Sequence, residues 1–216
     1  MVAEKNVVKN TSIKQIIVVD VDDVISDYAS SVVRFARREY DKNFTRDDVL
    51  ENWGNMFNLS QDEWACQYKK FLIEENFYEN PPVIEGAVET LRRLRVKFDL
   101  VILTSRPMFM RDATLKFLDS NFPNLFKEVL FANIWDAYDD EGVDLHTLSH
   151  ITKAEICRDI GASYLIDDQP KHCNGAAEFG VQCLLFGDYG WNRNAKIESL
   201  VTRVANWTEV EKYFGV

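Results

Sequence analysis

The stretch IIVVDVDDV, residues 16–24, sets four β-branched apolar residues directly before three crowded aspartates. An apolar run without alternation marks a strand covered on both faces. Carboxylates crowded at its end repel one another, and burying them is costly unless cations or hydrogen-bond donors compensate. A chain with this feature needs a sheet sandwiched between helices, and a rim where counter-charge converges on the strand end.

The same signature recurs along the chain. Short apolar runs appear at 100–104 (LVILT), 128–132 (EVLFA), 163–167 (SYLID) and 182–187 (QCLLFG). Helical patterns separate most of them. Residues 85–98 carry Ala87, Val88, Leu91 and Leu94 on one face, with Arg and Lys in the later turns. Residues 108–122 follow the second run. Residues 152–161 open on Thr152 and Glu155 in capping-box spacing and stop at Gly161, and residues 171–180 stop at Gly180. Strand–helix alternation predicts an α/β fold, a doubly wound, Rossmann-like parallel sheet flanked by helices. Residues 28–79 break the rhythm. They show no strand pattern, contain a second capping box at Ser60 and Glu63, and are rich in aromatics, among them Phe35, Trp53, Trp64, Tyr68 and Phe71. The spacing predicts a small helical domain at 28–79 inserted into a core made of 1–27 and 80–216. Its aromatics are expected to form its own core, with one or two free to face a substrate.

Composition narrows the function. The formal charge of −10 leaves no basic face, which excludes a nucleic-acid polymer as partner. No apolar run is long enough to span a membrane, and residues 1–15 are too polar for a secretory signal. The cysteines, Cys66, Cys157, Cys173 and Cys183, show no C-x-x-C spacing. They are expected to be reduced core residues of a cytoplasmic protein rather than zinc ligands.

Open α/β sheets bind ligands at the carboxyl ends of their strands. Asp20, Asp22 and Asp23 follow the first run, Thr104, Ser105 and Arg106 the second, and Asp167 and Asp168 the fourth, while Lys153 opens a capped helix. Parallel neighbouring strands would bring these groups to one rim. Asp20 and Asp22 are two apart, so an extended backbone points both to one side. With Asp167 opposite they make a hard, oxygen-rich site that suits Mg²⁺. The cation would relieve the repulsion and let a carboxylate approach a phosphate. A carboxylate nucleophile then gives an acyl phosphate. A second carboxylate, kept protonated by its charged neighbours, can protonate the leaving oxygen. The Thr104 hydroxyl and the Lys153 charge would stabilise the phosphoryl group, and Ser105 and Arg106 would bind the substrate anion. Each signal alone is ordinary, because acids after strands are usually solvated and a strand-end Thr usually caps a helix. Their order, each at a strand end, is what carries weight. Elsewhere, Trp191, Asn192 and Arg193 are candidates for one wall of the site. His146 and His150 read as loop residues, the acidic segment 135–150 as a flap, and Trp207 and Phe214 as a terminal helix docked on the core.

This ordered set resembles the haloacid dehalogenase-like (HAD) superfamily of phosphohydrolases. Its D-x-D motif matches Asp20 to Asp22, its Ser/Thr motif Thr104, its lysine motif Lys153 and its terminal acidic motif Asp167 and Asp168. The resemblance implies Asp20 as nucleophile and Asp22 as general acid/base. It also implies Mg²⁺ held by the Asp20 side chain, the Asp22 main-chain carbonyl and Asp167, with Asp168 beside them. The insertion resembles the helical cap of the superfamily's type-one members. The motif surroundings look like the 5′(3′)-deoxyribonucleotidase group, although Asp23 stands where that group has a small residue. The implied function is Mg²⁺-dependent hydrolysis of a small phosphomonoester, such as a 5′-nucleotide, through an aspartyl phosphate. Asp22 argues against a dehalogenase, whose halide leaving group needs no proton. A binding module with little or no catalysis is the alternative.

Overall fold

In the computed structural model, residues 14–40, 43–49, 57–74, 81–132 and 151–216 are described. The strands are β1 (Ile16–Val19), β2 (Asp99–Thr104), β3 (Glu128–Phe131), β4 (Tyr164–Asp167), β5 (Gln182–Phe186) and β6 (Val201–Val204). All are parallel, in the order β3-β2-β1-β4-β5-β6. Chain order reverses between β1 and β4, the place where doubly wound sheets open a crevice. The helices are α1 (Tyr28–Tyr40), α2 (Gln61–Glu74), α3 (Ala87–Lys97), α4 (Arg111–Asn121), α5 (Lys153–Asp159), α6 (Pro170–Glu178) and α7 (Trp207–Phe214).

The unbroken apolar runs have the expected cause. Alternate strand residues enter two separate cores, so no position along a central strand is free to be polar. Ile17, Val19, Ile102 and Leu184 pack with Leu91, Phe117 and Val210 of α3, α4 and α7. Val18, Leu103, Leu165 and Cys183 pack with Cys157 of α5 and Ala176 of α6. The Thr152–Glu155 capping box forms and starts α5 at Lys153. Gly161 and Gly180 take the left-handed conformation expected where those helices stop.

Two readings need correction. The edge strand β6, sequence VTRV, was not among the expected strands. Its middle residues are exposed and only its two valines are buried, so it has no apolar run to announce it. Cys66 is exposed on α2, whereas the other three cysteines are buried free thiols as expected.

Within 28–79 the described residues form α1, a 3-10 turn at Arg46–Asp48, and α2. The Ser60–Glu63 box caps α2. Aromatics here pack chiefly on one another: Phe71 meets Phe35 and Tyr28 edge-on, at centroid distances of 5.5 and 5.6 Å. Trp53 lies outside the described residues. No helix among the described residues is long and apolar enough to cross a membrane.

Trp207 links the end of the chain to the first strand. It is buried, tilts against Phe186, and donates from Nε1 to the Val24 carbonyl at 2.9 Å. It therefore props the turn that carries Asp22 and Asp23. Trp207→Ala is expected to cost about 3–5 kcal/mol of folding stability through the cavity it leaves. Trp207→Phe should cost about 1–3 kcal/mol, mainly for the stranded carbonyl. Urea denaturation of the two variants checks this, and a near-neutral Trp207→Ala would contradict it.

Candidate active site

Register brings the first acids together. Val19 is level with Ile166 across β1 and β4, and the Asp20 N–H extends that pairing to the Ile166 carbonyl at 3.0 Å. One step further sets Asp20 beside Asp167. Lys153, first residue of α5, reaches in from the side. Its Nζ lies 2.8 Å from Asp20 Oδ1 and 2.8 Å from Asp167 Oδ2, with the lysine side chain fully buried. Asp20, Asp167 and Asp168 each offer an oxygen within 4.8 Å of the others, and all are buried.

The electrostatics are asymmetric. Burial favours the neutral form of Asp20; Lys153 opposes this and Asp167 adds to it, so the group is pushed up to about 7. Burial also acts against the charge of Asp167, but Lys153 and His172 more than offset it and hold Asp167 well below the ordinary range. Asp168 is pushed well up by burial and by the neighbouring Asp167 and Asp23. Lys153, despite burial, is held charged by its two carboxylates. His172 Nδ1 lies 3.2 Å from both Asp167 oxygens, and an ionised carboxylate only accepts, so that nitrogen carries the proton. Sequence reasoning missed this contact. His146 and His150, and the segment 135–150 read as a flap, lie outside the described residues.

Asp22 is held differently. Arg106 donates from Nε to its Oδ2 at 2.9 Å and from Nη2 to its Oδ1 at 2.7 Å, a two-pronged pair. The Arg106 backbone N–H donates to the Thr104 hydroxyl oxygen at 3.1 Å, which leaves the Thr104 O–H proton free to donate elsewhere. The Ser105 hydroxyl is buried without a hydrogen-bond partner among the described residues. Asp23 has turned away. Its left-handed backbone, φ 56°, lets its carboxylate accept from the Ala29 N–H at 2.8 Å. It thus accepts one of the free N–H groups of the first turn of α1, beside Asp27, which takes the Ser30 N–H at 3.2 Å.

A second layer fixes Asp168. Trp191 Nε1 donates to its Oδ2 at 2.7 Å and Gln169 Nε2 to the same oxygen at 2.8 Å. Asn192, fully buried, donates to the Asp168 and Phe186 carbonyls. Tyr189 stacks on Trp191 and donates to the Asp23 carbonyl at 2.8 Å. Trp191 thus lies against Asp168, while Arg193 pairs with Asp47 of the insertion and with Asp188. Gly190 passes so close that a Cβ there would lie 2.2 Å from the Asp47 carbonyl oxygen. The residue types make this layer hard to foresee, because single Trp, Asn and Gln residues in a loop carry no spacing signal.

Residues 14–134 match the family described as "5' nucleotidase, deoxy (Pyrimidine), cytosolic type C protein". The match includes Asp20, Asp22, Thr104, Ser105 and Arg106 and ends before Lys153. No curated protein matches the chain. Among solved structures, a haloacid dehalogenase-like family hydrolase from Streptococcus pneumoniae superposes with a TM-score of 0.63 at 17% identity, covering 94% of this chain and 99% of the other. A HAD-superfamily hydrolase of subfamily IA from Geobacter sulfurreducens gives 0.56 at 16%, covering 96% and 99%. A Bacillus subtilis HAD-hydrolase bound to magnesium gives 0.59 at 14%, covering 95% and 100%. These likenesses show the HAD fold.

The three-carboxylate cluster suits a small, hard divalent cation. Its donors are all carboxylate oxygens, and one lysine offsets only part of their charge. A pH dependence follows. Asp20 in the folded chain binds its proton up to about 7, against an unfolded value near 3.8. Its contribution is complete at the acid end of that window and is lost as pH rises through it. With EDTA present, wild-type melting temperature should therefore fall relative to Asp20→Asn between about pH 4 and pH 7, and excess divalent cation should reverse the trend near pH 7. Parallel pH curves for the two proteins would contradict this.

Proposed function

The chain belongs to the cytosolic type C deoxy (pyrimidine) 5' nucleotidase family and carries the haloacid dehalogenase-like fold, and on that premise we propose that it is a Mg²⁺-dependent phosphatase of small phosphomonoesters, with nucleoside 5′-monophosphates as the favoured class. The observation that carries the proposal is the buried Lys153 bridging Asp20 and Asp167 at the ends of adjacent strands. A solvated loop cluster would not bury its ammonium and two carboxylates together, and a buried charge set of this kind is typical of a reaction centre.

Asp20 is the nucleophile. Its free oxygen attacks phosphorus, the bond from phosphorus to the leaving oxygen breaks, and Asp22, which enters this step carrying a proton on an outward-facing lone pair that Arg106 does not use, gives that oxygen its proton. Water then attacks the aspartyl phosphate as Asp22 takes a proton back, and the bond from phosphorus to Asp20 breaks. Lys153 holds the second Asp20 oxygen in place and brings positive charge to the phosphoryl group. The Thr104 O–H donates to a phosphoryl oxygen, and the Ser105 hydroxyl, without a partner among the described residues, is a second donor there. Asp20, Asp167 and the Asp22 carbonyl would hold Mg²⁺, with Asp168 beside them; when bound, the ion neutralises phosphoryl charge as the nucleophile approaches. Residues 28–79 act as the cap, tied to the loop after β5 by Arg193–Asp47. The partner is a small phosphorylated metabolite in the cytoplasm.

The test is phosphate release with Mg²⁺ from nucleoside monophosphates, sugar phosphates and phosphorylated amino acids, with folded Asp20→Asn as control. Turnover concentrated on nucleoside or deoxynucleoside 5′-monophosphates, falling at least about 10³-fold in Asp20→Asn, is expected for loss of a nucleophile. No turnover on any phosphomonoester by folded, Mg²⁺-loaded wild type would overturn the proposal in favour of a binding role.

A further inference from the structure

We infer that Arg106 is a positioning residue that holds the proton-transferring carboxylate of Asp22, and not a ligand of the substrate phosphate; the inference rests on the phosphatase reading above. As a strand-end arginine it is expected to bind the substrate anion, but the geometry points elsewhere. Its side chain is only 3% exposed, whereas that of Asp22 is 29% exposed. The guanidinium is therefore shielded from solvent, while the carboxylate it grips reaches solvent.

Both prongs are used on Asp22, at 2.9 and 2.7 Å. The far side of the guanidinium is tied down as well. Nη1 donates to the hydroxyl of Thr114 in α4 at 3.1 Å, and Nη2 makes a long contact to the buried Ser26 hydroxyl at 3.4 Å. Releasing it to reach a phosphate would break the charge-assisted pair and strand buried hydroxyls, which is costly. A fork held at both ends fixes the plane of the carboxylate it grips. Each carboxylate oxygen has two lone-pair sites, so Asp22 keeps outward-facing positions for a proton and the leaving oxygen. The same arginine's backbone N–H orients the Thr104 hydroxyl, so one residue aligns groups from two strand ends.

Leaving-group chemistry separates this role from phosphate binding. The phosphoryl group is common to all phosphomonoesters, so an arginine that grips it helps all of them alike. Proton donation matters for a poor leaving group, such as a nucleoside 5′-oxygen, and little for p-nitrophenolate. The readout is kcat/KM, which reports events up to cleavage of the ester and not the later hydrolysis of the acyl phosphate. Wild type, Arg106→Met and Asp22→Asn are compared on p-nitrophenyl phosphate, phenyl phosphate and a nucleoside 5′-monophosphate, with folding checked by circular dichroism.

Arg106→Met should lower kcat/KM at least about ten times more on the nucleotide than on p-nitrophenyl phosphate, within the range general acid catalysis supplies. Asp22→Asn should show the same slope, and adding Arg106→Met to it should change the slope no further. Arg106→Lys, which keeps the buried charge without the fork, should recover part of the nucleotide rate and takes the place of Arg106→Met if that variant does not fold. An equal loss on all three esters, in either variant, overturns the inference and returns Arg106 to the substrate phosphate. Wild type inactive on all three overturns the phosphatase reading and the inference with it.

Discussion

A single buried ammonium holds the site together. Lys153 Nζ lies 2.8 Å from carboxylates at the ends of two adjacent strands, with its side chain and that of Asp167 fully buried. Without it, Asp20 and Asp167 would lose the cation they share, and removing one partner of a buried ion pair typically costs about 3–5 kcal/mol. Placing that ammonium needs the parallel sheet, whose register sets Asp20 beside Asp167. It also needs the capping box that starts α5 at Lys153 and no later.

Around that centre, rigidity comes from contacts between distant parts of the chain. Trp207 near the C-terminus props the Val24 carbonyl, and Tyr189 holds that of Asp23. Asn192 and Trp191 fix Asp168, and Arg106 fixes Asp22. Each acidic strand end thus has a neutral or cationic partner from a different element. A reacting carboxylate must be held to a fraction of an ångström, and side chains locked by packing and hydrogen bonds do so better than solvated ones.

The sequence revealed the centre more readily than its supports. Apolar runs without alternation read as strands of a covered sheet, and parallel strands put their ends on one rim, so Asp20, Thr104 and Asp167 were legible together. Lys153 was legible because Thr152 and Glu155 mark the helix start beside it. Arg106 was legible as a charge near the site, but its partner is 84 residues away and no local pattern names it. Trp191 and Asp168 are separated by 23 residues, and His172 meets Asp167 from the first turn of α6, five residues on. The strand β6 was invisible because its exposed Thr202 and Arg203 break the apolar run. Asp23 read as a surplus charge because its bond to the Ala29 N–H depends on how the turn after β1 folds back onto α1, which no residue spacing announces.

The most direct measurement is acid-quenched labelling during turnover of a nucleoside 5′-monophosphate carrying radioactive phosphate, followed by peptide mapping. The label is expected as an acid-stable, hydroxylamine-sensitive acyl phosphate on Asp20, in the peptide spanning residues 16–28. Rapid turnover with no covalent label at any quench time, or label on another residue, would contradict Asp20 as the nucleophile.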